Sequence, residues 1–143
     1  MIFEFLKALL RFCKFLDGYD IRCDMLSEKN SSVSIVPTGN NKVIRTYADG
    51  EKIIGTEFDI VTRLKQNDDN CDNYNLLENL ILWLSEINFS QYNTLKSQYY
   101  DLFTPLSFTI INGACLKKDD IRSGQYKIRC RIDCLFKKSA AYQ

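Results

Sequence analysis

The sequence predicts an α+β domain in which a mostly antiparallel sheet, built from hairpins, packs against an N-terminal helix and a central helix. Three observations lead to this fold class: apolar residues at helical spacing in two segments, alternation of apolar and polar residues in two others, and an Asp-Gly pair between neighbouring strand-like runs. The chain has 143 residues, a length that fits a single core. We therefore expect residues 1–143 to form one domain.

The first helix is predicted from an apolar face near the N-terminus. The residues of that face recur at steps of three and four: Ile2, Phe5, Leu6, Leu9, Phe12, Cys13 and Leu16. Asp17 and Gly18 are expected to end this helix, because glycine shortly after the last apolar position is a common C-cap. Charged residues interrupt the segment every three or four positions, which predicts an amphipathic helix rather than a signal peptide or a membrane span.

Strands are expected next. Residues 20–27 and 33–36 have the character of short strands, and a turn is predicted at 37–41. Residues 43–47 and 52–64 are predicted to form a hairpin, because Asp-Gly, here Asp49-Gly50, is a residue pair that tight hairpin turns prefer. In the second arm, Glu57, Asp59 and Arg63 share one face and apolar residues share the other, since successive side chains of a strand point to opposite faces.

A second helix and two closing strands complete the predicted order. The helix follows a loop at residues 66–73, with Asp72 or Asn73 as its N-cap, and its apolar positions are Leu76, Leu77, Leu80, Ile81, Leu84 and Ile87. Residues 88–105 fit either a long loop or a short extra helix. The closing strands are expected at 106–116 and 125–137, joined by a polar turn at 117–124, and the last of them alternates apolar with charged residues.

Composition excludes several classes of function. With 19 Lys+Arg against 18 Asp+Glu the net charge is +1, so the chain has no basic field of the kind that a general nucleic-acid binder uses. It has no histidine, the usual general base of Ser and Cys hydrolases and the commonest zinc ligand. A Gly-rich phosphate loop and a C-x-x-C pair are also missing from the sequence. We expect neither a cofactor nor a bound metal.

The six cysteines are interpreted as reduced thiols, because no secretory signal points to an oxidising compartment. Cys130 and Cys134 share one face of the last strand at about 13 Å, a separation of four strand residues. A disulfide requires Cα atoms within roughly 7 Å, so these two cysteines are predicted to be buried free thiols.

Two clusters have a chemical and a structural interpretation. Glu57 and Asp59 lie about 7 Å apart on one strand face, as an acid/base pair could, but two carboxylates on the polar face of a hairpin are more often charge patterning. Lys127, Arg129 and Arg131 form an opposing basic stripe. The two stripes could pair on neighbouring strands or, if they are not neighbours within one chain, match across a subunit boundary. The aromatic cluster Tyr92, Tyr99, Tyr100 and Phe103 is favoured as an interaction surface or core lid over a base-stacking platform.

Three stretches, in order, resemble the tail terminator (tail completion) proteins of long-tailed phages and prophages of Gram-positive bacteria, a group that includes small minor capsid or minor tail proteins. The stretches are FLDG at 15–18, VIRTYADG at 43–50 running into TEFDIVTR at 56–63, and YKIRCRI at 126–132. They span most of the chain and are patterns of strand and turn. The sequence departs from the resemblance at the Tyr-rich residues 88–105.

The resemblance implies a structural virion protein without enzymatic activity. Tail terminators form a ring of six subunits that caps the head-proximal end of the tail tube, in a phage or a phage-tail-like bacteriocin, after assembly in the bacterial cytoplasm. The expected partners are copies of the chain itself, the tail tube protein, and a sheath or head-connector protein, with no membrane and no sequence-specific nucleic acid. The residues expected at a subunit or tube interface are Arg45, Glu57, Asp59, Arg63, Lys127, Arg129 and Arg131.

Two alternatives remain open at the level of the sequence. The protein could be a head–tail connector or a tube-like subunit of the same particle. It could also be a small enzyme that uses Glu57 and Asp59 as acid and base.

Overall fold

The computed structural model describes residues 1–66, 69–119 and 123–137. Within these ranges, three α-helices pack on one face of a five-stranded sheet, which is the α+β class that the sequence predicts. The elements in chain order are α1 (Ile2–Leu10), β1 (Asp20–Cys23), β2 (Ser32–Thr46), β3 (Lys52–Lys65), α2 (Cys71–Ser85), α3 (Asn93–Tyr99), β4 (Phe103–Asp119) and β5 (Ser123–Phe136). Two single 3-10 turns, Lys14–Leu16 and Phe89–Gln91, lie in the connections.

The strands lie in the order β1-β2-β3-β5-β4. The pairs β2–β3, β3–β5 and β5–β4 are antiparallel, and the short β1 runs parallel to the first residues of β2. The predicted hairpin is confirmed: Tyr47 N–H donates to the Glu51 carbonyl at 2.8 Å, and Gly50 adopts a φ of +91°. A positive φ is the conformation that glycine supplies without steric cost.

Alternation in β3 and β5 separates a core face from an outer face. Phe58 and Ile60 on β3 and Ile128 and Ile132 on β5 are at most 1% exposed and pack under the helices. From α2, the side chains that reach this core are Leu77, Leu80 and Leu84. Cys130 and Cys134 are buried among them as free thiols, as their position on the strand predicts. The opposite face of the same strands carries the charged residues.

The first helix is shorter than predicted. It ends at Leu10, and the backbone is extended at Cys13 before the 3-10 turn of Lys14–Leu16. A 3-10 turn also brings residues three apart to one side, so Cys13 and Leu16 are buried without a continuous helix. Phe12 is 48% exposed, and the expectation that it lies on the core face is wrong.

The predicted turn at residues 37–41 is also wrong, because β2 passes through it as one strand. Pairing with β3 shifts register between Pro37 and Asn41, and Gly39 has a φ of +82°. Thr38 Oγ1 donates to the Glu57 carbonyl at 3.2 Å, which ties the irregular segment to β3. Turn-forming residues therefore form a bulge here, since the neighbouring strand continues past them.

The remaining differences are at element boundaries. β1 ends at Cys23, before the predicted 27. The N-cap of α2 is Asn70 rather than Asp72 or Asn73. Residues 88–105, which by sequence fit either a long loop or a short extra helix, contain the short helix α3. Residues 67–68 of the predicted loop and 120–122 of the predicted polar turn lie outside the described residues. Both closing strands are confirmed, but they are longer than expected: β4 runs from Phe103 to Asp119 and β5 begins at Ser123, so residues 117–119 and 123–124 of the predicted turn belong to strands.

Candidate interaction surfaces

The outer face of the sheet brings the two predicted charged stripes together. In the register of β3 and β5, Glu57 lies opposite Arg131 and Asp59 lies opposite Arg129. Cross-strand neighbours on one face have Cβ atoms about 5 Å apart, within reach for ion pairs. The stripes are therefore neighbours within one chain, and the condition for matching them across a subunit boundary is not met.

Arg129 is the centre of this face. Its Nε lies 2.9 Å from Oδ1 of Asp59 and 3.4 Å from Oε1 of Glu57, and its Nη2 donates to Oδ2 of Asp59 at 3.3 Å. The hydrogen bond and the charge of Asp59 raise the pKa of the Arg129 guanidinium. The Asp59 side chain is only 12% exposed, so a single arginine holds two carboxylates, one of them nearly buried.

A second ion pair lies beside a glycine. Arg131 Nε is 3.0 Å from Oδ1 of Asp133, two residues along the same strand, and Ser107 of β4 donates to Oδ2 of Asp133 at 3.3 Å. Gly55, directly opposite Asp133 on β3, leaves room for this pair. A Cβ at Gly55 would lie 2.8 Å from Asp133 Oδ1 and 3.2 Å from Cδ1 of Ile44.

The other predicted interface residues are in different settings. Arg63 Nε donates to the Ser27 carbonyl at 2.9 Å and Nη1 to Ser123 Oγ at 3.2 Å, so it holds the β1–β2 connection against the start of β5. Lys127 lies on the outer face of β5, opposite Val61. Arg45 lies near the hairpin end of β2, with its guanidinium carbon 5.1 Å from the centre of the Tyr47 ring.

The Tyr-rich segment contributes to the core. The ring of Phe5 is 5.6 Å from Tyr99, 6.1 Å from Tyr100 and 5.3 Å from Phe103, with edge-on geometry in each pair. Tyr100 donates its hydroxyl to the Phe89 carbonyl at 2.8 Å, and burial raises its pKa to about 12. The structure agrees with the interpretation of Tyr99, Tyr100 and Phe103 as a lid on the core.

Two strands carry exposed apolar side chains that are not among the residues predicted from the sequence. They are Val43 at 52% and Ile44 at 45% on β2, with Tyr47 just beyond it, and Leu106, Ile111 and Leu116 at 41–47% on β4. The available signal was the pair of adjacent apolar residues, Val43-Ile44 and Ile110-Ile111. In a strand, adjacent residues point to opposite faces, so such a pair places an apolar side chain on each face.

These same strands have free edges. β1 pairs only with residues Ser32 to Ile35 of β2, so from Val36 to Thr46 that side of β2 faces no strand of the described chain. β4 is the last strand at the opposite end of the sheet. Unpaired N–H and C=O groups along an edge are a template for another strand. The sheet therefore presents two open edges, each flanked by exposed apolar residues.

No family model matches this sequence, and no curated protein does. Within the described ranges, no group of three or more Cys, Asp or Glu residues is arranged to hold a metal ion. None of the helices there combines the length and the apolar character needed to cross a lipid bilayer.

Proposed function

We propose that the protein is a ring-forming tail terminator of a phage or a phage-tail-like particle. The ring, of six subunits, caps the head-proximal end of the tail tube and stops its growth. Its exposed face then docks a head connector or the terminal sheath ring. The function is structural, and the ring is built from copies of this chain.

One observation carries the proposal. Residues 43–46, 56–63 and 126–132 of the stretches that resemble tail terminators lie on β2, β3 and β5, three adjacent strands, although the last stretch is distant from the other two in the sequence. β3 and β5 pair without interruption from Thr56 opposite Ile132 to Thr62 opposite Tyr126. Apart from residues 15–18, which lie at and just after the 3-10 turn of Lys14–Leu16, the resemblance therefore maps to one continuous part of the sheet.

The free edges supply what a ring requires. A ring needs a heterologous contact, in which two different surfaces of one subunit meet the complementary surfaces of its neighbours. β2 and β4 are such a pair, because they lie toward opposite ends of the sheet and expose backbone groups together with apolar side chains.

The outer face suits a protein that works by contact. Its charges are balanced: Glu57, Asp59 and Asp133 lie among Arg129, Arg131 and Lys127. Such a face gives orientation-specific contacts with a matching surface, because like charges are costly when they are misaligned. The near-neutral net charge of the chain also suits a channel through which DNA passes without adhering.

The test is the mass and the location of the protein. Native mass spectrometry of the purified chain, alone and mixed with tail tubes, should give a six-subunit species bound to tube ends. Labelling on particles and electron microscopy should place it at the head-proximal end, whereas a position along the tube or inside the head would indicate a tube-like subunit or a connector. A protein that stays monomeric with tubes and is missing from particles contradicts the proposal.

A further inference from the structure

The directions of the outer strands constrain how two copies of this sheet can join. β2 is antiparallel to β3, β3 to β5, and β5 to β4, so β2 and β4 run in opposite directions. A second copy placed beside the first, with the same face outward, brings its β2 antiparallel to β4. Antiparallel edges can pair directly, without a crossover connection.

We propose that β4 of one subunit pairs, edge to edge, with β2 in the next subunit, at residues 41–43, which lie between the two register shifts of the free part of β2. The occupant of each free edge is thus a second copy of this chain. The inference rests on the proposed function only for the closure of the contacts into a ring, because a head-to-tail contact gives either a ring or an open filament.

The register across the sheet identifies which residues meet. In the register of the sheet, Lys42 of β2 is level with Gly55 of β3, Asp133 of β5 and Ser107 of β4, a row that crosses these four strands. A neighbour at the same height therefore places its Lys42 opposite Ser107. Both residues lie in the row of Asp133, on the outer face, so the lysine ammonium approaches a carboxylate that Ser107 already contacts.

The side chains beside this row match in character. Val43 is in the row of Pro105, and Leu106 follows at a register shift; both Val43 and Leu106 are exposed, so the proposed pairing covers part of the apolar surface of each strand. The free segment of β2 carries only basic charges, Lys42 and Arg45. Residues 107–110 of β4, between its register shifts, carry no charged side chain, so the proposed pairing brings no like charges together there.

Both ends of the proposed contact are limited by the fold. β1 covers Ser32 to Ile35 of β2 and stops the pairing there. On β4, register shifts after Pro105 and after Ile110 bound the regular stretch between them. Bulges restrict how far an edge can pair with other strands, so the contact is short and selective rather than an open template for aggregation.

Disulfide cross-linking tests this contact. Cys23, Cys71 and Cys115 are first replaced by serine, since they are the exposed native cysteines. K42C and S107C are then introduced together, and the protein is oxidised both at high concentration and when bound to tail tubes. Directly opposed residues have Cα atoms about 5 Å apart, a distance that a disulfide spans. We expect a ladder of cross-linked species up to the full ring.

The controls separate this geometry from the alternatives. K42C alone and S107C alone should give no cross-link, and a mixture of the two single variants should give dimers only. K42C combined with N79C, on the exposed side of α2, should give no ladder. Dimers from K42C alone would show symmetric pairing of β2 with β2 and overturn the proposal.

The remaining outcomes distinguish the contact from the function. Six-subunit rings without a K42C/S107C ladder overturn the edge pairing and leave the tail terminator proposal standing. A ladder without binding to tubes supports the edge pairing and contradicts the function. A chain that is monomeric, does not cross-link and does not bind tubes contradicts both.

Discussion

Arg129 on β5 lies against Asp59 on β3, with 2.9 Å between Nε and Oδ1. The same guanidinium is 3.4 Å from Oε1 of Glu57, two residues along β3. One cation therefore holds together two like charges that alternation places on the same face. The carboxylates considered as an acid/base pair are part of a cross-strand ion pair network, which orients β3 and β5 on the outer face.

Replacing Arg129 by methionine is expected to lower the unfolding midpoint by several degrees. Without the guanidinium, Glu57 and the nearly buried Asp59 lose the cation that they share. Lys127→Met, on the same face of β5, is the matched control and should change the free energy of unfolding by less than about 0.5 kcal/mol. Thermal and urea unfolding of both variants measure the change in midpoint and in free energy, and equal effects would argue against the central role of Arg129.

Gly55→Ala should destabilise the fold by about 1–3 kcal/mol, the usual cost of overpacking. The new methyl group would lie 2.8 Å from Asp133 Oδ1 and 3.1 Å from Cδ of Arg131, an ion pair that must then move. Gly113→Ala is the control, because nothing lies within 4 Å of a Cβ there. Thermal unfolding should give a lower midpoint for Gly55→Ala than for Gly113→Ala. A Gly55→Ala variant as stable as the original chain would show that the Arg131–Asp133 ion pair does not occupy the space above Gly55.

Phe5→Ala and Phe12→Ala should lower the free energy of unfolding by very different amounts, although the sequence places both residues on one helical face. Phe5 is fully buried among aromatic rings, and its loss should cost about 3–5 kcal/mol. Phe12 is 48% exposed and stacks at 4.9 Å on Tyr92, so its loss should cost about 1.5 kcal/mol or less. Denaturant unfolding tests the difference. Similar losses would favour a continuous first helix.

Stability should decline in alkali. Burial raises the pKa of Cys130 and raises that of Cys134 to about 12, whereas a thiol of the unfolded chain ionises near about 8.5. Above that pH the unfolded state loses protons that the folded state keeps, so the free energy of unfolding falls as the pH rises toward 12. Urea unfolding at about pH 8 and about pH 10.5 measures the loss.

The control for this pH dependence is the double variant C130A/C134A. It should be less stable than the original chain near neutral pH, because it leaves space in the core. Its further loss between the two pH values should be smaller, since two of the groups that ionise on unfolding are gone. An equal loss in both proteins would assign the alkaline sensitivity to other groups, such as Tyr100.

Much of the fold follows from local pattern. Alternation in β3 and β5 and the Asp49-Gly50 turn are set by side-chain direction and backbone preference, so they are visible in the sequence. The continuity of β2 through Pro37 and Gly39 is not visible in the sequence, because pairing with β3 overrides the local preference for a turn. The extent of α1 is a similar case, since helical and 3-10 spacing coincide over residues 12–16.

The candidate surfaces depend even more on tertiary structure. The sequence places Glu57, Asp59, Arg129 and Arg131 on polar strand faces, but only strand order makes β3 and β5 neighbours. Whether β2 and β4 have free edges likewise depends on which strands pair with them. Pattern identifies which side chains face outward, and topology determines which of them meet.

The central claim is that this chain acts by assembling with copies of itself at the end of a tube. Native mass spectrometry of the protein together with tail tubes tests it most directly. The expected result is a discrete six-subunit species attached to tube ends. A strict monomer at all concentrations, with the tubes unoccupied, would contradict it.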